Sequence, residues 1–103
     1  ERMYEHRHRL RCLGLSYNNL TSKAITGIFE ALTTNTTLTA LDLSGNEYEH
    51  TIYNNENLRK FLRSNTGLRA FDLCHNKLNS ESYKEIHLGL LENETVLLLP
   101  LTL

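Results

Sequence analysis

The sequence of 103 residues predicts an α/β array of short units, each running strand, turn, helix and return loop. Three observations lead there. LRCLGLSYNNL (10–20), LTALDLSGNEY (38–48) and LRAFDLCHNKL (68–78) superimpose without gaps, and self-similarity at a fixed period marks a repeat architecture. The starts fall at 10, 38 and 68, with a fourth at Val96 in VLLLPLTL (96–103), so the spacings are 28, 30 and 28 residues. Counted back from the next start, Ile28, Leu58 and Ile86 lie ten residues before it, and Leu32, Leu62 and Leu90 lie six before it. Apolar residues four apart share one face of a helix.

The strand comes first in each unit. In Leu38-x-x-Leu41-x-Leu43 the last two leucines share a face, because side chains alternate along a strand. That face is expected to pack inward on the helix of its own unit. Ala40, Asp42 and Ser44 then point the other way, as do Cys12, Gly14 and Ser16, and Ala70, Asp72 and Cys74. Asn18, Asn46 and Asn76 stand where the chain leaves the strand and turns inward. A buried turn strands backbone donors and acceptors, and a side-chain amide satisfies both kinds. Stacked in register, these amides are expected to form a ladder between turns.

The helix follows, with Ile28/Leu32, Leu58/Leu62 and Ile86/Leu90 as its expected inner faces, and Asn35, Asn65 and Asn93 recur three residues before each new start. A single unit of this size cannot bury its own apolar face, so neighbours complete the core by stacking. The expected organisation is one domain, 1–103, with units 10–37, 38–67 and 68–95. Residues 1–9 read as the end of a preceding helix, and 96–103 as the start of a fourth unit.

The shared frame LxxLxLxxNxL resembles the leucine-rich repeat, and the period near 28 with a helix in the second half resembles its ribonuclease-inhibitor-like subclass. The resemblance implies a right-handed curved solenoid, parallel strands on the concave side and helices on the convex side. It also implies binding of other proteins on the concave face or along the loop rims. The chain then reads as a fragment of a longer array.

Two places depart from the frame. The second unit carries two extra residues within EYEHTIYNNENL (47–58), has Tyr48 at the last ladder position, and puts Asn54 and Asn55 where the first unit has Ala24 and Ile25. A longer, irregular loop on the rim and a weakened helix start are expected. At the other end, Leu97 and Leu98 are apolar where earlier units have Arg, Thr, Cys or Ala. Pro100 lacks a strand N–H and belongs at a sheet edge. The Val96–Leu103 strand is therefore expected to end the array or to contact another repeat or chain.

Composition narrows the function classes. Lys and Arg number 11 against 12 Asp and Glu, which gives no global charge for nucleic acid or an anionic membrane. No apolar run reaches the roughly 18–20 residues of a membrane span, and no apolar segment follows the basic start ERMYEHRHR as in a secretory signal. Cys12 and Cys74 are too few for a disulfide framework and have no metal-site spacing. Reduced thiols and a cytoplasmic location are the expectation. The His6-x-His8 pair lacks further ligands of suitable spacing and reads as a surface pair. Three sequences match the glycosylation acceptor pattern, at Asn19, Asn35 and Asn93; the repeat accounts for the last two without a glycan.

A partner surface is sought first on the strand residues that point away from the helices. Asp42 and Asp72 align in adjacent units, and together they can receive an Arg or Lys. The plainer alternative is two solvated residues at a position where Asp is common in this repeat. Arg69, Tyr17, His75 and Glu47 flank them at the rim. Arg59, Lys60 and Arg63 belong to the second helix and read as a solvated convex surface. Cys74 and His75 are adjacent, so their side chains point to opposite faces and make no nucleophile–base pair. No catalytic, cofactor-binding or metal residue is assigned. The expected function is a protein–protein interaction module that is not itself an enzyme. The alternatives are a regulatory or substrate-recruiting arm of a GTPase activator or ubiquitin ligase, and a mainly architectural array.

Overall fold

A computed structural model describes residues 10–51 and 55–93. The segments expected to end a preceding helix (1–9) and to start a fourth unit (96–103), with the His6/His8 pair and the Val96–Leu103 contact, lie outside the described residues.

Three strand–helix units stand side by side: β1 Cys12–Gly14, α1 Ser22–Leu32, β2 Ala40–Asp42, α2 Asn55–Ser64, β3 Ala70–Asp72 and α3 Ser80–Glu92. The strands form one parallel sheet in the order β1-β2-β3. Its register pairs Cys12, Ala40 and Ala70 across the sheet, then Leu13, Leu41 and Phe71, then Gly14, Asp42 and Asp72. Equivalent positions of the sequence frame are thus neighbours in space. Parallel strands joined by helical crossovers make this an α/β fold.

The helices begin where local chemistry favours it. Thr21 caps α1 by accepting from the Ala24 N–H, and Asn79 forms a capping box with Ser82 at α3. The second helix carries Glu56 in its first turn and Arg63 in its last, which suits the helix dipole. It is described from Asn55, the first residue after the undescribed 52–54, so the expected weakened helix start lies outside the described residues. Against α3 it packs closely at Gly89, where a Cβ would come within 2.8 Å of Leu62 Cβ and 3.1 Å of the Arg59 carbonyl.

The core lies between sheet and helices. Leu38, Leu41, Leu43, Leu68, Phe71 and Leu73 supply it from the strands, and Ile25, Phe29, Leu58, Phe61, Leu62 and Ile86 from the helices. Phe29 stacks on Phe61 at 4.8 Å, and Phe71 meets both rings edge-on at 5.9 and 5.8 Å. Rings from all three units therefore interlock, an arrangement that adds to simple area burial. In the first helix Ile25 and Phe29 are fully buried, and the expected inner residues Ile28 and Leu32 are half-buried and pack against that core.

The asparagine ladder is present and is directional. Asn46 Nδ2 donates to Leu15 O in the previous unit and to Leu43 O and Ser44 O in its own, while its Oδ1 accepts from Asn18 N and Leu20 N. Asn76 repeats the pattern one unit on, donating to Leu43 O, Leu73 O and Cys74 O and accepting from Tyr48 N. A second ladder runs along the helix ends. Asn65 Nδ2 donates to Leu32 O and Asn35 O, and Asn93 Nδ2 to Leu62 O and Asn65 O.

The inserted stretch is more regular than expected over its first half. Residues 47–51 are extended, with Tyr48 and His50 buried and Glu47, Glu49 and Thr51 exposed. Single parallel bridges join Thr21 to Glu47 and Glu49 to Lys77, and Lys77 N donates to Tyr48 O at 2.8 Å. Backbone pairing on both flanks holds this stretch in line, so no bulge forms there.

Candidate protein-binding face

The sheet has one face against the helices and one open. On the open face the strands are short, and each ends at the residue that follows its inward leucine or phenylalanine. In the second and third units that residue is Asp42 or Asp72. They are register partners, which puts them on adjacent strands about 4.8 Å apart. Both are half-buried, so charge there is less screened than on an open surface.

One oxygen of each carboxylate is used locally. Asp42 Oδ1 accepts from the Ser44 N–H at 3.0 Å and the Ser44 hydroxyl at 2.7 Å, and Asp72 Oδ1 accepts from the Cys74 N–H at 2.9 Å. These are the side-chain turns that Asp makes two residues ahead of itself. Ser44 and Cys74, expected on the same face as the aspartates, are only 8% and 7% exposed, and the Ser44 hydroxyl lies against the Asp42 carboxylate. The other oxygen of each carboxylate accepts no hydrogen bond among the described residues, and the ion pairs there, Arg59–Glu92 and Arg63–Glu92, involve neither.

Next to the aspartates the face is floored by small side chains. Cys12, Gly14, Ala40 and Ala70, with Asp42 and Asp72, line a shallow depression of about 210 Å³. Nothing lies within 4 Å of where a Gly14 Cβ would be.

The rim residues divide between the two ends of the strands. Tyr17 and His75 are exposed and lie just past the strand ends, at the place that Gly45 holds in the second unit. All three adopt left-handed backbone, with φ of 55°, 58° and 68°. That region costs a residue with a Cβ about 1–2 kcal/mol. The ring of Tyr17 lies against Gly45, and a Cβ there would come within 2.4 Å of it. Glu47 is exposed beyond this turn, its N–H donating to Leu20 O. Arg69 stands at the opposite, N-terminal end. Its Nη1 donates to Thr66 O and Leu68 O, and Arg11 occupies the matching place in the first unit with Nη1 on Thr37 O. The structure therefore groups Asp42 and Asp72, puts Tyr17, His75 and Glu47 at their end of the sheet, and separates Arg69 from them by the strand length.

Elsewhere the polar groups have structural partners. Arg59 donates through Nε and Nη2 to both oxygens of Glu92, at 2.9 and 2.8 Å, so the helix expected to be a bare solvated surface is partly neutralised. The hydrogen bond from Arg59, more than its charge, holds Glu92 below the usual carboxylate range. Cys74 is buried and His75 exposed. Among the described residues no three His, Cys, Asp or Glu side chains come together to hold a metal ion, and no helix there is long and apolar enough to cross a membrane.

Two features escaped the sequence reading. The left-handed position before each ladder asparagine carries a glycine only once, so the signal was a single Gly45 between a Tyr and a His. Tyr48 and His50 are buried with polar atoms, Tyr48 Oη and His50 Nε2, that have no hydrogen-bond partner among the described residues. Burial pushes the Tyr48 phenol up and the His50 imidazole down from their ordinary values, with Glu85 and Glu81 on α3 opposing the shift at His50.

With the parallel sheet, the register and the asparagine ladder in place, comparison with known families adds one finding. Residues 34–47 match the family model described as a leucine-rich repeat. The chain carries a leucine-rich repeat. The matched stretch runs from the return loop of the first unit through β2 to the ladder asparagine Asn46. No curated protein matches the chain. Leucine-rich repeats in general mediate protein–protein interaction, and the open strand face is where this one presents a groove.

Proposed function

We propose that the chain is the protein-binding module of a ribonuclease-inhibitor-like leucine-rich repeat protein. In this reading the units belong to a longer right-handed solenoid, and a protein partner lies on the concave strand face and the adjacent rim. The module works in the cytoplasm, is not itself catalytic and uses no cofactor. The observation that carries the reading is the open-face groove: a floor of Gly14, Ala40 and Ala70 beside two half-buried carboxylates that no described cation neutralises. Each aspartate closes its own turn through one oxygen, but two like charges on neighbouring strands repel, and an opposite charge from a partner would relieve that repulsion. Small side chains beside them leave room for a partner's.

Affinity capture tests it, with the native chain and an Asp42→Lys/Asp72→Lys variant as baits in a cytosolic extract, after thermal melts show that both are folded. A protein retained by the native chain and lost by the variant is the expected result. Equal retention moves the site away from the strand face, and no retained protein favours an architectural array.

A further inference from the structure

In the repeat frame His50 aligns with Ser22 and Ser80, the first residues of α1 and α3, yet it lies in extended chain between the first and third units. The chain before it is firmly seated. Tyr48 has its ring in the core, its N–H on Asn76 Oδ1 at 2.9 Å and its carbonyl accepting from Lys77 N at 2.8 Å. Beyond Tyr48, Glu49 N donates to Ser22 Oγ at 2.7 Å, and His50 O accepts from Asn79 Nδ2 at 3.4 Å. Thr51 then borders, with Ser22, Gly27 and Glu30 of α1, an open cleft of about 470 Å³.

The imidazole of His50 sits inside this stretch. It is 4% exposed, and its Nε2 has no hydrogen-bond partner among the described residues. The groups that face it come from the third unit: the Asn79 side chain, which bonds to it, and the Glu85 and Glu81 carboxylates of α3. A neutral ring leaves one lone pair unmet. A protonated ring leaves a charged N–H unmet, and burying an unpaired charge costs far more than burying an unpaired acceptor. Burial accordingly holds the imidazole below its ordinary value, with Glu85 and Glu81 offsetting part of the effect.

We propose that residues 49–51 form an acid-released strap, seated between the first and third units while His50 is neutral and swung out about Tyr48 when the imidazole takes a proton. Tyr48 is the hinge because its ring and both of its backbone groups stay engaged. The cleft beside Thr51 gives the strap open space on the α1 side, so it leaves without displacing the core. The sign follows from linkage: the released form binds the proton more readily, so release grows as pH falls below 6.5 and levels off once the seated form is protonated too. Release moves Glu49 and Thr51 at the rim while the sheet stays folded. It does not depend on what the strand face binds.

The test is amide hydrogen exchange and imidazole titration by NMR on the full chain, on either side of pH 6.5. Exchange rates are first corrected for their intrinsic dependence on pH. The Glu49 N–H should lose protection below pH 6.5, by at most about tenfold per pH unit because one proton is taken up. The Leu43 N–H, which donates to Asp72 O between β2 and β3, should not follow it. His50→Leu should remove the pH dependence at Glu49. Glu85→Gln should deepen it and extend it to lower pH, because a carboxylate that offsets the buried charge is gone. Equal loss of protection at Glu49 and Leu43 overturns the proposal, since the whole domain then opens. Protection at Glu49 that ignores pH also overturns it, as does a His50 midpoint at or above 6.5. If His50→Leu does not fold, the native chain and Glu85→Gln decide, and an unchanged or weaker pH dependence with Glu85→Gln contradicts the strap.

Discussion

Tyr17 lies with its ring across Gly45 of the next unit, and both residues are in left-handed backbone. The two are coupled through space as well as through the repeat, since the missing Cβ of Gly45 is what makes room for the ring. Gly45→Ala should therefore destabilise the fold by more than the roughly 1–2 kcal/mol of left-handed backbone alone. In a Tyr17→Gly background the same change should cost less, because only the backbone contribution remains. A double-mutant cycle from urea unfolding measures the difference. Additive effects would mean that the ring does not rest on Gly45.

The ladder makes a positional prediction. Asn46 is buried and serves two units, whereas Asn18 is exposed and, among the described residues, its Nδ2 donates to Ser16 O alone. Asn46→Ala strands the Asn18 and Leu20 N–H groups and the carbonyls it served, and should cost about 2–4 kcal/mol. Asn18→Ala should stay within about 0.5 kcal/mol. Chemical denaturation of the two variants side by side checks the ranking, and equal losses would contradict a ladder that runs from each unit back to the one before.

Tyr48 offers the opposite sign. It is fully buried, edge-on to Phe29 at 5.7 Å, with a hydroxyl that has no hydrogen-bond partner among the described residues. Tyr48→Phe keeps the ring and removes the stranded group, so it should raise stability by roughly 1 kcal/mol. A fall in the urea midpoint would show that the hydroxyl has a partner.

His50 is 4% exposed, and burial lowers its imidazole from the ordinary value of 6.5. The unfolded chain then binds a proton more readily than the folded one. Its contribution is complete above pH 6.5 and is lost as pH falls from there towards the lowered folded value. The native chain should accordingly lose stability as pH falls below 6.5, and His50→Leu should lose less over the same interval. Parallel slopes for the two proteins would place the acid sensitivity elsewhere.

Much of this architecture is legible in the residues. A frame of leucines at fixed offsets specifies which side of each strand is buried, and the register of the sheet reproduces the sequence superposition position by position. The amides of Asn46 and Asn76 follow from the same logic, since a turn buried under its neighbours has to be satisfied by something. What escapes has a common cause. The near-complete burial of Ser44 and Cys74 was not legible, because the turn after each aspartate is closed by a side chain and not by a change in the pattern of hydrophobicity. Ile25 and Phe29 join Ile28 and Leu32 on the core side of the first helix, and the ring contacts of Phe29 with Phe61 and Phe71 are not something a periodicity of apolar residues specifies. Asn35, Asn65 and Asn93 were visible as a recurrence, yet their role depends on carbonyls of the preceding unit about 30 residues away. Asp42 and Asp72 could be paired from the spacing alone. That Arg69 stands at the opposite end of the strand and bonds its own loop carbonyls needed the coordinates.

The central claim is that a partner occupies the open face of the sheet, and a photo-crosslinking amino acid tests it most directly. Placed at Ala70 on the groove floor, and separately at Lys84 on the exposed side of α3, it reports which surface a protein from cytosolic extract touches. The account predicts one crosslinked protein from position 70, competed away by untagged native chain but not by the Asp42→Lys/Asp72→Lys variant, and none from position 84. Crosslinking from position 84 alone would contradict it and move binding to the helices.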